Sequence, residues 1–288
     1  MTIARDPAEL ERRPRSVAIG TFDGVHLGHQ AVISAAVAAG EGPTVVTFDP
    51  HPRTVLGNRV ELLATLERRL ELLAAAGAED ILVVDFTPEI AALEPEAFAR
   101  QYLLALGTEI VVCGAGFRFG RARGGDLELL RSLGIDAREV PLVEGVSSSL
   151  IRSLAHDGDV RGAARLLARP LELDGTVVFG DQRGGTLGFP TANLRVDAEL
   201  LVPAYGIYAG AVGDQRAAVS IGVNPHYGGT ERRIEAYLLD WHGDLYGDRL
   251  VIEVWDRLRE ERAFASEADL VAQIAADVEQ TRAATRPS

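Results

Sequence analysis

The chain has 288 residues, 47% of them hydrophobic and 25% charged, which provides apolar material for two compact domains and excludes a wholly disordered chain. A formal net charge of -13 makes nucleic acid and anionic membranes unexpected partners, so a polyanionic ligand must be met by local donors and a cation. The single cysteine, Cys113, excludes an internal disulfide and favours a reducing compartment; within the run Ile110 to Cys113 it reads as a small buried apolar residue.

The N-terminus, with Arg5, Asp6, Glu9 and Glu11, does not read as a signal peptide. No apolar run approaches the roughly 18 residues of a membrane helix, so the expectation is a soluble, cytoplasmic protein. Val17 to Gly20 predicts a first short strand ending in a Gly/Asp/His turn, and Gln30 to Ala39 a helix. Thr44 to Phe48, Ile81 to Val84 and Ile110 to Cys113 predict further apolar strands. Between them, Thr65 is placed to cap a helix that carries Leu66, Leu70 and Leu73 on one face and ends at Gly77. Pro95 to Leu106 fits another helix, closed by Gly107. Continuous apolar strands alternating with helices predict a parallel sheet covered on both faces.

From about residue 171 the pattern changes. Thr176 to Phe179, Ile207 to Val212, Ala217 to Ile221, Ile234 to Leu239 and Leu250 to Val254 predict short strands separated by glycine-rich turns, as in an antiparallel barrel or sandwich. Ser266 and Asp269 open a last amphipathic helix with Leu270, Val271, Ile274 and Val278 on one face. The expected division is 1–168 and 169–288, with the boundary carried by Arg161 to Pro170.

Two strings carry chemistry. In the first half, Gly20-Thr21-Phe22-Asp23-Gly24-Val25-His26-Leu27-Gly28-His29 joins a strand to a helix, where glycines admit phosphates and a helix start favours anions. His26 and His29 are three residues apart and can both donate to a transferring phosphoryl group; a structural histidine pair is the alternative. In the second half, Gly180-Asp181-Gln182-Arg183-Gly184-Gly185-Thr186-Leu187-Gly188-Phe189-Pro190-Thr191-Ala192-Asn193 sets four glycines beside a proline turn. Thr191 and Asn193 add two hard oxygens suited to Mg2+. Glu235 shares a strand face with Tyr237 and Leu239, where it is either an exposed cross-strand carboxylate or a base for an attacking alcohol. Ser147, Ser148 and Ser149, with Arg152, read alone as a helix cap or as phosphate donors.

These strings together resemble the bacterial bifunctional riboflavin kinase/FMN adenylyltransferase (FAD synthetase) family. The first matches its G-x-F-D-G-x-H-x-G-H signature. Thr47-Phe48-Asp49-Pro50-His51-Pro52-Arg53 resembles its F-D-P-H-P run, and Ser147 to Arg152 its S-S-T-x-I-R motif. Gly188-Phe189-Pro190-Thr191-Ala192-Asn193 looks like the riboflavin kinase motif. The resemblance spans about residues 16 to 282.

It implies an α/β Rossmann-like nucleotidylyltransferase domain, then a six-stranded antiparallel β-barrel riboflavin kinase domain with a C-terminal helix. The implied substrates are riboflavin, FMN and ATP, with FAD as product and Mg2+ bound with ATP. The implied oligomeric state is a monomer or weak homo-oligomer. By resemblance, His26, His29 and Arg152 stabilise charge in adenylyl transfer and Glu235 is the base of the kinase. Gly20, Phe22, Asp23, Gly24, Gly28, Ser147, Ser148, Ser149, Gly180, Gly184, Gly188, Asn193 and Arg259 bind substrate or ATP, and Thr191 and Asn193 ligate the metal.

Three departures stand out. Ser149 replaces the family's threonine. Gly116 stands where the segment Gly114 to Gly120 is usually G-x-D/N-F-x-F-G, which motivates a kinase-only alternative. His226 and Tyr227 follow Pro225, where threonine and phenylalanine are usual. Tyr246 reads as a core aromatic, and flavin contact stays open for both Tyr246 and Phe264. Arg257 is either a surface charge or a phosphate partner.

Overall fold

The structure, a computed structural model, describes residues 1–180, 189–223 and 232–288. The calls on Gly184, Gly188, His226 and Tyr227 lie outside the described residues. By its internal contacts the chain forms two compact units. The first is Met1–Val60 with Leu66–Ser147; the second is Glu61–Thr65 with Ser148–Ser288.

The first unit holds strands β1 (Thr2–Ala4), β2 (Arg15–Ile19), β3 (Thr44–Asp49), β4 (Asp80–Asp85), β5 (Thr108–Gly114) and β6 (Asp136–Val140). Its helices are α1 (Leu27–Ala39), α2 (Pro52–Val55), α3 (Leu66–Ala75), α4 (Pro88–Ala91), α5 (Pro95–Phe98) and α6 (Leu127–Ser132). The sheet runs β1-β4-β3-β2-β5-β6, with parallel pairing throughout. Alternate residues of each strand serve opposite faces. Ala18, Val45, Ile81, Val83 and Val112 pack with Val32, Ile33 and Ala36 of α1 and Leu73 of α3. Ile19, Val46, Leu82, Val84, Val111 and Cys113 join Phe98, Leu103 and Leu106 on the other face. Each such side chain withdrawn from water contributes roughly 1.5–3 kcal/mol. Both faces are therefore covered, as the apolar runs require.

The helix expected from Pro95 is α5, which continues through a widened turn at Ala99–Leu103 and a tight one at Leu104–Leu106. Gly107 closes it at φ 81°, a left-handed conformation that glycine adopts without strain.

The second unit is built on β7 (Leu171–Val178), β8 (Ala192–Val196), β9 (Gly206–Val212), β10 (Gln215–Val223), β11 (Arg232–Leu238) and β12 (Arg249–Arg259). They close as β10-β11-β8-β7-β12-β9, antiparallel at every named pair. Helices α7 (Ser148–His156) and α8 (Val160–Leu167) precede the barrel, and α9 (Glu267–Ala283) follows it. Ile151, Ala155, Val160, Ala163 and Leu167 of α7 and α8 share one core with Leu173, Val219, Ile234, Ala236 and Ile252 of the barrel. Ser266 caps α9 by accepting from Asp269 N–H at 3.1 Å, the arrangement its sequence predicts. Thr65 immediately precedes α3, and its hydroxyl donates to the Asp174 carboxylate of β7.

Candidate functional site

In the α/β unit the strand order reverses between β2 and β5, and ligands of open parallel sheets bind at such a switch point. The loops after these two strands flank it, and the first is the one that presents the histidines. It contains two non-glycine residues in left-handed conformation, Phe22 at φ 51° and Val25 at φ 41°. Such positions cost about 1–3 kcal/mol each. Burial of both side chains, each 2% exposed, holds them there.

His26 caps α1: its Nδ1 accepts from the His29 backbone N–H at 3.3 Å. That role leaves Nε2 as the protonated nitrogen of the neutral ring. The two imidazoles stack with centroids 3.6 Å apart. Gly28 allows this approach, because a Cβ there would come within 3.2 Å of the His26 ring. Phe22 packs edge-on to His29 at 5.4 Å. Burial, then His26, then the Arg69 guanidinium hold the His29 imidazole well below its ordinary 6.5, so the ring is neutral near pH 7. Asp23, Gly20 and Gly24 complete the loop, with Asp23 1% exposed.

Arg69 of α3 was not singled out in the sequence. It is 3% exposed and donates to Phe48 O at 3.0 Å and to Thr21 O at 3.3 Å. Its signal was its spacing: it falls three after Leu66 and four before Leu73, on the buried stripe of the helix. Glu139 of β6 was also missed. Its Oε1 accepts from the N–H of Gly116 at 2.7 Å, beside the position where the family's polar side chain is absent. Nothing lies within 4 Å of a Cβ built on Gly116, whose φ is 73°. Cys113 is fully buried as expected, and burial pushes its thiol up to about 12.

In the second unit, Ser148, Ser149 and Arg152 lie on α7, and Ser147 directly precedes it. Arg152 Nε donates to Glu61 O at 2.6 Å. On the barrel, β11 alternates buried Ile234, Ala236 and Leu238 with half-buried Arg233, Glu235 and Tyr237. Leu239 lies beyond the strand and is buried, so it does not share the face of Glu235 and Tyr237. Asn193 of β8 is the register partner of Glu235. Partners in an antiparallel ladder project on the same side. Thr191 Oγ1 lies 3.4 Å from Glu235 Oε2. Arg233 stands 3.7 Å from the other carboxylate oxygen. The Asn193 amide lies over the α-carbon of Gly180, where a Cβ would collide with it.

The expected metal ligands and base therefore meet on one patch. Two neutral oxygens beside one carboxylate make a poor all-protein cage. They suit a Mg2+ that takes its remaining ligands from phosphates and water. Among the described residues no group of three or more His, Cys, Asp or Glu forms a metal site.

The four arginine and aromatic positions sit in different surroundings. Arg259 is clamped by Asp277 of α9, with Nη2 at 2.7 Å and Nε at 3.0 Å, and its Nη1 donates to Glu260 O. A phosphate contact by Arg259 requires that clamp to open. Arg257 packs against Gly158 and Gly206 and donates to Tyr205 O. Tyr246 is not a core aromatic: it is 40% exposed and stacks on Phe179 at 4.1 Å, because the turn carrying it lies outside the barrel. Phe264 is half-buried beneath Arg259 and Arg262.

An α/β unit with paired histidines at its strand switch point, followed by a closed barrel with a Thr/Asn/Glu patch, defines a two-unit phosphate-transferring enzyme. The chain matches the FAD synthetase family over residues 8–152 and the riboflavin kinase family over residues 167–285. It is 38% identical to the bifunctional riboflavin kinase/FMN adenylyltransferase of Listeria monocytogenes, covering 93% of this chain and 91% of that one. It is 36% identical to the same enzyme of Bacillus subtilis, covering 94% and 92%. The crystal structure of a protein from Streptococcus pneumoniae described as a macrolide-efflux protein superposes with a TM-score of 0.86 at 32% identity, covering 98% of each chain. Among the described residues of this chain, no helix is long and apolar enough to cross a membrane. The chain belongs to the bifunctional riboflavin kinase/FMN adenylyltransferase family.

Proposed function

We propose that this chain phosphorylates riboflavin to FMN and adenylylates FMN to FAD, using ATP in both steps, in the cytoplasm. Residues 169–288 carry the kinase and residues 1–168 the adenylyltransferase. The reading rests on one observation above others: the two family matches together run through both units. Relatives named for both activities leave the kinase-only alternative without support.

In the kinase, Glu235 accepts the proton of the riboflavin 5'-hydroxyl as its oxygen attacks the γ-phosphorus of ATP. The bond to the β–γ bridging oxygen breaks and ADP leaves. Thr191 and Asn193 would hold a Mg2+, which supplies charge neutralisation at the phosphates when bound. By resemblance, Gly180, Gly184 and Gly188 belong to the ATP-binding string of the kinase. In the adenylyltransferase, a phosphate oxygen of FMN attacks the α-phosphorus of ATP and pyrophosphate departs. His26 and His29 donate N–H groups to the charge that builds there. Ser147, Ser148, Ser149 and Arg152 serve as ATP phosphate donors by resemblance. Gly20, Phe22, Asp23, Gly24 and Gly28 shape the loop that admits the nucleotide.

A chromatographic time course with riboflavin, ATP and Mg2+, run beside one that starts from FMN, tests the reading. FMN followed by FAD supports it. FMN with no FAD from either start limits the chain to the kinase, and no product from either start refutes it.

A further inference from the structure

The geometry points to Arg69 as a positioning residue for adenylyl transfer, tying the Thr21 and Phe48 carbonyls together and so fixing the loop that presents His26 and His29. The inference rests on the adenylyltransferase reading above. Arg69 comes from α3, outside both sequence strings of that site. One guanidinium bridges the ends of two parallel strands: Nη1 donates to Thr21 O at 3.3 Å and Nη2 to Phe48 O at 3.0 Å. Thr21 O also accepts from the Thr47 hydroxyl at 3.0 Å, so the start of the loop is held from β3 as well. Beyond Thr21 the loop turns through the left-handed Phe22 and Val25, which an untethered loop would abandon.

A buried arginine that only stapled strands together would need a full set of partners. Arg69 instead keeps Nε buried without one among the described residues, and the Asp49 carboxylate stands 3.6 Å from its Nη2. Asp23 and Asp49 both face this cation, yet burial still pushes the guanidinium down, so its charge is felt by the groups around it. His29 lies in its field. The charged and titratable groups around this cluster are His26, stacked on His29 at the start of α1, Asp23 in the loop, Arg69 from α3, and Asp49 at the end of β3. Burial and His26 depress the His29 ring most, and Arg69 adds to them. Arg69 thus fixes where the rings stand and helps to keep His29 neutral, with a single N–H to donate.

Arg69→Met and Arg69→Lys test this, with FAD formation from FMN, ATP and Mg2+ followed across pH. Arg69→Met is expected to lower kcat by about 100-fold, the scale of a misplaced catalytic group, with KM for FMN and ATP little changed. The acidic limb of its kcat profile should move up by about half a pH unit or more as His29 titrates closer to 6.5. Arg69→Lys keeps the charge and should leave the limb in place, yet lose about 10-fold in kcat, since an ammonium does not span both carbonyls. Riboflavin phosphorylation should be unchanged in both variants. Wild-type kcat in Arg69→Met, or a rate loss in it with no movement of the limb, overturns the inference. If Arg69→Met shows no cooperative melt, Arg69→Lys decides alone: wild-type kcat overturns the proposal and the 10-fold loss sustains it. A wild-type chain that forms no FAD would overturn the adenylyltransferase reading and this inference together; the other adverse outcomes overturn this inference only.

Discussion

Asn193 and Glu235 stand opposite each other across the β8–β11 ladder, with Thr191 Oγ1 3.4 Å from the Glu235 carboxylate. The register places two neutral oxygens and one carboxylate on a face whose neighbours Leu194, Ile234 and Ala236 turn into the barrel core. Thr191→Ala and Asn193→Ala should each raise the Mg2+ concentration needed for half-maximal FMN formation by about 10-fold or more. FAD formation from preformed FMN should keep its Mg2+ response. A Mg2+ titration of each reaction checks both statements.

His29 links stability to pH. Its folded value is depressed below the ordinary 6.5, chiefly by burial, so the unfolded chain binds the extra proton first. The contribution is complete above about 6.5 and is lost as pH falls from there toward the folded value. The α/β unit should therefore melt at lower temperature as pH drops through that window, and His29→Asn should flatten the dependence. Calorimetric scans at several pH values would show it.

Gly116 is the family departure with room to be reversed. Its φ of 73° is one that asparagine tolerates, and the space around a Cβ is open. Gly116→Asn should change stability by less than about 1 kcal/mol. It should also raise the rate of FAD formation several-fold by restoring a polar side chain next to Glu139. Thermal melts and initial rates at fixed FMN and ATP test the two parts separately.

The Arg259–Asp277 clamp ties the end of β12 to α9, with side-chain exposures of 18% and 5%. Arg259→Ala leaves the Asp277 carboxylate buried without this partner and should destabilise the barrel by about 3 kcal/mol. The double variant Arg259→Ala, Asp277→Ala should recover much of that loss. Equilibrium unfolding of the three variants measures the coupling. A kinase defect that persists in the stable double variant would mark Arg259 as a phosphate ligand as well.

The sequence announced what is periodic or contiguous. Apolar runs marked β3, β4 and β5 because both their faces are buried, whereas the proline-threonine-asparagine string was legible as chemistry and not as the strand β8 that it opens. It did not announce β1, which has three residues, or β6, where Asp136-Ala137-Arg138-Glu139-Val140 offers one buried side chain on an edge strand. The approach of Glu139 to Gly116 is a parallel register fact, invisible until β5 and β6 pair. Arg69 was hidden by type: in Glu67-Arg68-Arg69 it reads as solvent charge, and only its place on the Leu66/Leu73 stripe told otherwise. The clamp on Arg259 was hidden for the same reason, since its partner Asp277 lies 18 residues away on a helix whose apolar face alone was legible.

The most direct test of the account is a reciprocal one, because its central claim is that two separate clusters run two reactions. Glu235→Gln and His29→Asn would be assayed for FMN formation from riboflavin and for FAD formation from FMN. Glu235→Gln should lower the first by about 1,000-fold and leave the second intact. His29→Asn should lower the second by about 100-fold or more and leave the first intact. Loss of both activities in either folded variant, or of neither, would contradict the account.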